Sequence, residues 1–216
     1  MKKLIAYDLD GTLADTRQDI IHGVLHMLQA MGAPPLEAAE IERCVGRGLH
    51  DLIRGTLRMD DSKRIEKGAR CFRDYYGAHM LDHTRLFKGA REVLEYFHPR
   101  PQAVLTNKPN PFSERMLEGL NVRSFFMAVL TGEPGRPQKP DPYAFCELLK
   151  QESISPEEAL FVGDSPVDIE TGRRAGVETV VMMHGFSSEI ELKSHTPDHL
   201  VRDFTELLAL ARSRGW

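Results

Sequence analysis

The chain has 216 residues, 28 of them basic and 32 acidic, for a net charge of −4. That length suits one large domain, or a medium domain with a smaller one attached, and is enough to bury a core. The charge balance, without any basic run, excludes a nucleic-acid or anionic-membrane surface, and no window approaches the roughly 20 apolar residues of a membrane span.

The start, Met1-Lys2-Lys3-Leu4-Ile5-Ala6-Tyr7, is basic and then apolar. Asp8 and Asp10 interrupt it before a secretory core is complete, so no signal peptide is expected. The apolar run is too short for a helix and ends at a Gly-Thr turn. It therefore reads as a buried strand of a parallel sheet, with Asp8 and Asp10 at its end. Side chains alternate along a strand, which puts both aspartates on one side and Leu9 on the other, and Gly11 then lets the chain turn. A lone Asp there would be an ordinary turn residue. Two carboxylates converging on one small volume call for a shared proton or a cation between them.

After Thr16 the pattern becomes helical. Ile20, Ile21, Val24, Leu25 and Leu28 form a stripe that Gly32 and Pro34-Pro35 end. A second helix is expected over Leu36 to Cys44, and a third carries Leu49, Leu52, Ile53 and Leu57. A fourth starts at Asp61 or Ser62 with Ile65, Ala69, Phe72, Tyr76 and Met80 at helical spacing. No strand is expected from Asp15 to His83, so this block reads as an all-helical insertion of about four helices. His22 with His26, and His79 with His83, have metal-compatible spacing but no Glu after the first His. They read as surface histidines or histidines inside the insertion.

From Leu86 strands and helices alternate. A helix with Val93, Leu94 and Phe97 precedes the strand Gln102 to Thr106. A helix from Phe112 to Leu117, a segment Phe126 to Leu130 and a helix from Pro142 to Lys150 follow. Then come a strand Ala159 to Val162, a helix Ser165 to Ala175, strands Glu178 to Met183 and His199 to Val201, and a final helix with Phe204, Leu207, Leu208 and Ala211. The fold expected is α/β, a doubly wound parallel-sheet (Rossmann-like) core of residues 1–14 and 84–216, with a helical cap of residues 15–83 inserted after the first strand. Cys44, Cys71 and Cys146 are widely spaced and odd in number, which argues against disulfides or a zinc knuckle and for a reducing cytoplasm.

Three further stretches carry candidate chemistry. Thr106-Asn107-Lys108-Pro109 puts a hydroxyl and an amide at a strand end before a helix, a good anion-binding corner, although either residue also suits a helix cap. In Gln138-Lys139-Pro140-Asp141-Pro142, Lys139 is kept out of helical geometry by Pro140. It is placed just outside a helix N-terminus, where a cation is better off facing an anion. In Gly163-Asp164-Ser165-Pro166-Val167-Asp168, Ser165 reads as an N-cap and Asp168 as its capping-box partner. Asp164, a strand-end carboxylate after a Gly, reads more readily as a ligand of a hard cation.

The pattern Asp8-Leu-Asp-Gly-Thr-Leu-Ala-Asp-Thr16, with Thr106, Lys139 and the Gly163-Asp164 to Asp168 segment in that order, resembles the haloacid dehalogenase-like superfamily across nearly the whole chain. The insertion resembles the helical cap of its phosphoglycolate phosphatase-like branch. The resemblance implies a phosphatase acting on a small phosphorylated metabolite, phosphoglycolate being the nearest guess, through an aspartyl-phosphate on Asp8. Asp10 would be the acid and base, and its presence argues against a dehalogenase, since halide leaves without a proton. Mg²⁺ would be held by Asp8, Asp164 and the main-chain carbonyl of Asp10, with Asp168 close by. Thr106, Asn107 and Lys139 would bind phosphoryl oxygens and stabilise the charge of the transition state. Arg47, between Gly46 and Gly48, would contact the substrate from the cap, or else is an exposed turn residue. A phosphomutase of the same superfamily and a non-catalytic binding protein of the same fold are the alternatives. A phosphonatase would need a cap lysine that the Arg47 loop lacks. No nucleic-acid or membrane partner is expected, and the chain would act as a monomer or homodimer.

Overall fold

The structure is a computed structural model describing residues 1–133 and 135–216. Strand β1 (Leu4–Tyr7) has parallel neighbours on both sides and all of its residues are buried. Burial on both faces is why it reads as an unbroken apolar run. Then follow β2 (Ala14–Asp15), α1 (Arg17–Ala30), α2 (Ala38–Glu42), α3 (Leu49–Leu57), α4 (Ser62–His79), β3 (Arg85–Leu86), α5 (Ala90–Phe97), β4 (Gln102–Leu105), α6 (Phe112–Gly119) and β5 (Ala128–Leu130). The chain continues with α7 (Tyr143–Gln151), β6 (Ala159–Gly163), α8 (Pro166–Ala175), β7 (Glu178–Met182), α9 (Glu189–Ser194), β8 (His199–Val201) and α10 (Phe204–Arg214).

The main sheet has the order β5-β4-β1-β6-β7-β8, and every pairing in it is parallel. Phe97 of α5 and Phe204 of α10 share a core with Ile5, Tyr7, Val104 and Val162, while α7, through Phe145, Leu148 and Leu149, packs with Leu4, Ala6, Ala103 and Phe161. Alternating residues of one strand thus serve opposite faces, as a doubly wound sheet requires. From β1 the chain reaches β4 on one side, whereas β6 lies on the other. The carboxyl ends of β1, β4 and β6 therefore flank a topological switch point, where such sheets bind ligands.

Helices α1 to α4 lie between β2 and β3, which pair antiparallel with Ala14 opposite Leu86 and Asp15 opposite Arg85. Asp15 is therefore in a strand, contrary to expectation; a two-residue strand leaves no periodicity to read and exists through its distant partner. Asp19, 1% exposed, ties α1 to the returning chain. It accepts hydrogen bonds from the His83 and Thr84 N–H groups, at 3.1 and 2.8 Å, and from the Thr84 hydroxyl at 2.8 Å. His83 Nδ1 stands 2.9 Å from the same carboxylate, and together these contacts hold its pKa below the usual range against the opposing effect of burial. His22 packs edge-on to His83, not with His26, which stacks on Tyr75.

The starts of α2 and α7 differ from expectation. Helix α2 starts at Ala38 rather than Leu36, where the Glu40 carboxylate accepts the Glu37 N–H at 3.0 Å. Helix α7 starts only at Tyr143. Lys139 and Asp141 each precede a proline and are pushed out of helical geometry, so Lys139 sits further from the helix start than its sequence suggests.

Candidate active site

The ends of β1, β4 and β6, with the loop after β5, bring together Asp8, Asp10, Thr106, Lys108, Lys139, Asp164 and Asp168. Asp8, Asp164 and Asp168 are all buried, and each offers a carboxylate oxygen within 4.8 Å of the others. Lys139, 5% exposed, places Nζ 2.7 Å from Asp168 Oδ1 and 2.9 Å from Asp8 Oδ1. The Asp8 contact lies off the line of a hydrogen bond. Asp8 Oδ1, fully buried, consequently has no hydrogen-bond partner among the described residues.

The electrostatics follow from this crowding. Desolvation pushes the Asp8 carboxyl up to about 7; Lys139 opposes the rise, while Asp168 and Asp10 add to it. Asp164 is raised well above its usual value by burial, then by Asp168 and Asp8. Burial alone would lower the Lys139 pKa, but Asp168 and Asp8 overcome it and hold the ammonium charged. A cluster so arranged is short of positive charge.

Neighbouring groups fix the cluster's geometry. Thr12 Oγ1 donates to Asp164 Oδ1 at 2.7 Å, and the Phe186 N–H donates to Oδ2 at 3.0 Å. Gly11 has φ +82°, and a Cβ there would fall 2.5 Å from Asp164 Oδ2; at Gly185 it would fall 2.1 Å away. The Asp164 carboxylate thus rests in a cradle that only glycines leave open. Asp168 is the expected capping residue as well. Its Oδ2 accepts from the Asp164 and Ser165 N–H groups, both at 3.1 Å, and from Ser165 Oγ at 2.6 Å. Its other oxygen is thereby aimed at Lys139.

Asp10 faces the same space from the loop after β1, while Leu9 is buried in the core, as strand alternation requires. Sequence reading missed its partner. Lys108 Nζ donates to Asp10 Oδ1 and Oδ2 at 2.9 and 3.2 Å and to the Tyr76 hydroxyl of α4 at 2.8 Å. Burial lowers the Lys108 pKa, but Asp10 and Tyr76 outweigh it and keep the ammonium charged.

Thr106 Oγ1 accepts the Lys108 N–H at 3.2 Å, and nothing among the described residues takes its own proton. Asn107 departs from expectation. Its amide donates to the Gly46 and Lys139 carbonyls at 3.0 and 2.9 Å, and its oxygen accepts the Lys139 N–H at 2.9 Å. With every side-chain group engaged, Asn107 braces the Gly46 loop against Lys139, leaving no free side-chain donor for a phosphoryl oxygen. Arg47 is exposed; it lines an outer cleft of about 190 Å³ shared with Asp8, Asp10 and Asp164, and does not line the inner cavity beside Asp10.

Buried carboxylates at the switch point of a parallel sheet, a lysine among them and a helical segment above define a class of hydrolase. Residues 5–182 match the model of the haloacid dehalogenase-like hydrolase family, and the chain belongs to that family. It is 32% identical over 217 residues to a phosphoglycolate phosphatase of Vibrio parahaemolyticus, covering 95% of this chain and 94% of that protein. A phosphoglycolate phosphatase of Pseudomonas putida is 30% identical over 218 residues, covering 96% of this chain and 79% of the other. The crystal structure of a predicted phosphoglycolate phosphatase from Haemophilus somnus superposes with a TM-score of 0.91 at 27% identity, over 97% of this chain and 98% of that one. No helix among the described residues is long and apolar enough to cross a membrane.

Proposed function

We propose that the protein is a Mg²⁺-dependent phosphatase that hydrolyses a small, phosphoglycolate-like phosphate monoester through an aspartyl-phosphate on Asp8. The observation that carries this reading is the Asp8 carboxylate itself, buried, flanked by Lys139, with one oxygen unpartnered. The names of the relatives support the substrate class. An all-oxygen set of carboxylates, glycine-cradled at Asp164 and short of positive charge, fits a hard divalent cation held by Asp8, Asp164 and the Asp10 carbonyl, with Asp168 nearby. When bound, that ion would lower the repulsion between the anionic nucleophile and the anionic ester.

An Asp8 oxygen attacks phosphorus and forms the acyl phosphate as the bond to the ester oxygen breaks. Asp10 gives that oxygen its proton, the alcohol leaves, and Asp10 then takes a proton from the water that attacks phosphorus and frees Asp8. Lys139 and the Thr106 hydroxyl hold the equatorial oxygens. Residues 15–83 act as the cap that excludes bulk water, and residues 1–14 and 84–216 as the catalytic body. Cys44, Cys71 and Cys146 are all unpaired thiols, which supports a cytoplasmic site of action.

The test is phosphate release from a panel of small phosphate esters, with Mg²⁺ or EDTA, for the native protein and Asp8→Asn. Magnesium-dependent release that disappears in the variant is expected, together with a phosphoryl adduct on the Asp8 peptide after acid quench. Substantial turnover by Asp8→Asn would sink the assignment. A requirement for a sugar bisphosphate would replace it with a phosphomutase.

A further inference from the structure

Beside Asp10 lies a cavity of about 60 Å³ between the helical insertion and the sheet. Its walls are mostly apolar, supplied by Ile20, Leu49, Leu52 and Phe72 from the insertion and by Phe112 from α6. Among the described residues lining it, Lys108 is the only cation. The Asp8 and Asp10 carboxylates share this lining and Lys108 is paired with Asp10, so the ammonium is held on the cavity wall, where low-dielectric surroundings strengthen its pull on a further anion.

Two donor protons there have no protein acceptor. An ammonium carries three protons. Lys108 contacts both Asp10 oxygens and the Tyr76 hydroxyl; the two oxygens of one carboxylate lie close enough for a single N–H to span them, which frees one proton for a ligand. Tyr76, 1% exposed, accepts from Lys108, and nothing among the described residues accepts the proton of its own hydroxyl. That proton stays in place, since burial pushes the phenol up to about 12. The ring is fixed by stacking on Phe72 at 5.0 Å and by edge contact with Phe112 at 5.7 Å. A buried hydroxyl without an acceptor is a costly arrangement unless a ligand supplies one.

We propose that Lys108 and Tyr76 together recognise a carboxylate on the leaving group, so that the favoured substrates are phosphate esters of short 2-hydroxy acids. The proposal rests on the phosphatase reading and assigns its specificity to residues other than the exposed Arg47. Reach supports it. An ester oxygen served by Asp10 lies about 2.6–3.2 Å from that carboxyl, and Lys108 Nζ is 2.9 Å from Asp10 on the side of the cavity. A carboxylate one carbon beyond the ester oxygen would fall within hydrogen-bond range of Nζ and the phenol. Because Tyr76 belongs to the insertion and Lys108 to the sheet's loop, the two donors converge only when the insertion is seated.

The test compares kcat/KM for phosphoglycolate and for ethyl phosphate, its two-carbon counterpart without the carboxylate, in the native protein, Lys108→Met and Tyr76→Phe. The native protein is expected to favour phosphoglycolate by about 100-fold or more, since a site built to bond a polar group discriminates against the analogue lacking it. Lys108→Met should remove most of that ratio, and Tyr76→Phe, which keeps the ring and its packing, should cut it about 10-fold, the worth of one hydrogen bond to a charged group. An unaltered ratio in both variants, whatever their individual rates, overturns the proposal. So does native turnover of ethyl phosphate equal to that of phosphoglycolate. Hydrolysis of p-nitrophenyl phosphate with neither two-carbon ester accepted would leave the phosphatase standing and overturn this assignment. No release from any ester would remove the phosphatase reading itself.

Discussion

Replacing the proposed nucleophile should make the metal-free protein more stable while ending its activity. The Asp8 carboxyl rises from 3.8 to about 7 on folding, a net unfavourable effect on its charged form that already includes the attraction of Lys139. Between about pH 4 and pH 7 the folded chain therefore binds more protons at this site than the unfolded chain, and stability falls as pH rises through that window. Roughly 3 units at about 1.4 kcal/mol each come to about 4 kcal/mol by pH 8. Asp164, raised mainly by the same burial, steepens the fall in the same direction. Asp8→Asn keeps the shape and removes the charge, while Lys139 retains Asp168 as its partner. For a chain of this size, about 2–4 °C accompanies each kcal/mol. Thermal denaturation in EDTA at pH 8 should then place the variant about 10 °C above the native protein, with the gap narrowing at pH 5, where native Asp8 is largely protonated. Saturating Mg²⁺ should raise the native protein more than the variant. A variant no more stable than the native protein in EDTA at pH 8 would refute the reasoning, because Lys139 would then outweigh desolvation.

Asp19→Ala should cost about 3 kcal/mol in urea denaturation, since it leaves the His83 and Thr84 N–H groups and the Thr84 hydroxyl without an anionic acceptor. A loss below about 1 kcal/mol would mean that water replaces the carboxylate. Thr12→Val should weaken Mg²⁺ binding about 10-fold by titration calorimetry, because the Thr12 hydroxyl orients Asp164 Oδ1. Unchanged affinity would show that the Phe186 N–H and the glycine cradle suffice.

Much of the site is legible in sequence because strand ends are. The buried strands β1, β4 and β6 each end in an apolar run, and the polar residues that follow those runs, Asp8, Thr106 and Asp164, are the site candidates. Asp168 reads two ways in the sequence, as a cap and as a site candidate; in the structure one oxygen caps α8 and the other meets Lys139. What escaped depends on contacts distant in sequence. Tyr76 sits at helical spacing with Phe72 and is indistinguishable from a packing residue until its hydroxyl meets Lys108, 32 residues away. Asn107 looked like a free anion donor because nothing local reveals that the Gly46 and Lys139 carbonyls occupy it. Helix α9 buries only Leu192, so no apolar stripe marks it.

The paired strands β2 and β3 also bear on how such a chain could be remade. The polypeptide leaves toward α1 and returns from α4 along adjacent, hydrogen-bonded tracks, with Ala14 against Leu86 and Asp15 against Arg85. The two severed ends that excision would leave are already about 5 Å apart, the spacing of neighbouring strands. Any module whose own termini lie that close could be spliced in without disturbing the sheet, and a tight turn would close the gap just as well. The parallel sheet and its carboxylates would persist through such an exchange, whereas the phenol over Lys108 would leave with the old module. Grafting at this seam therefore offers a route to new substrate preferences that leaves the phosphoryl-transfer apparatus untouched.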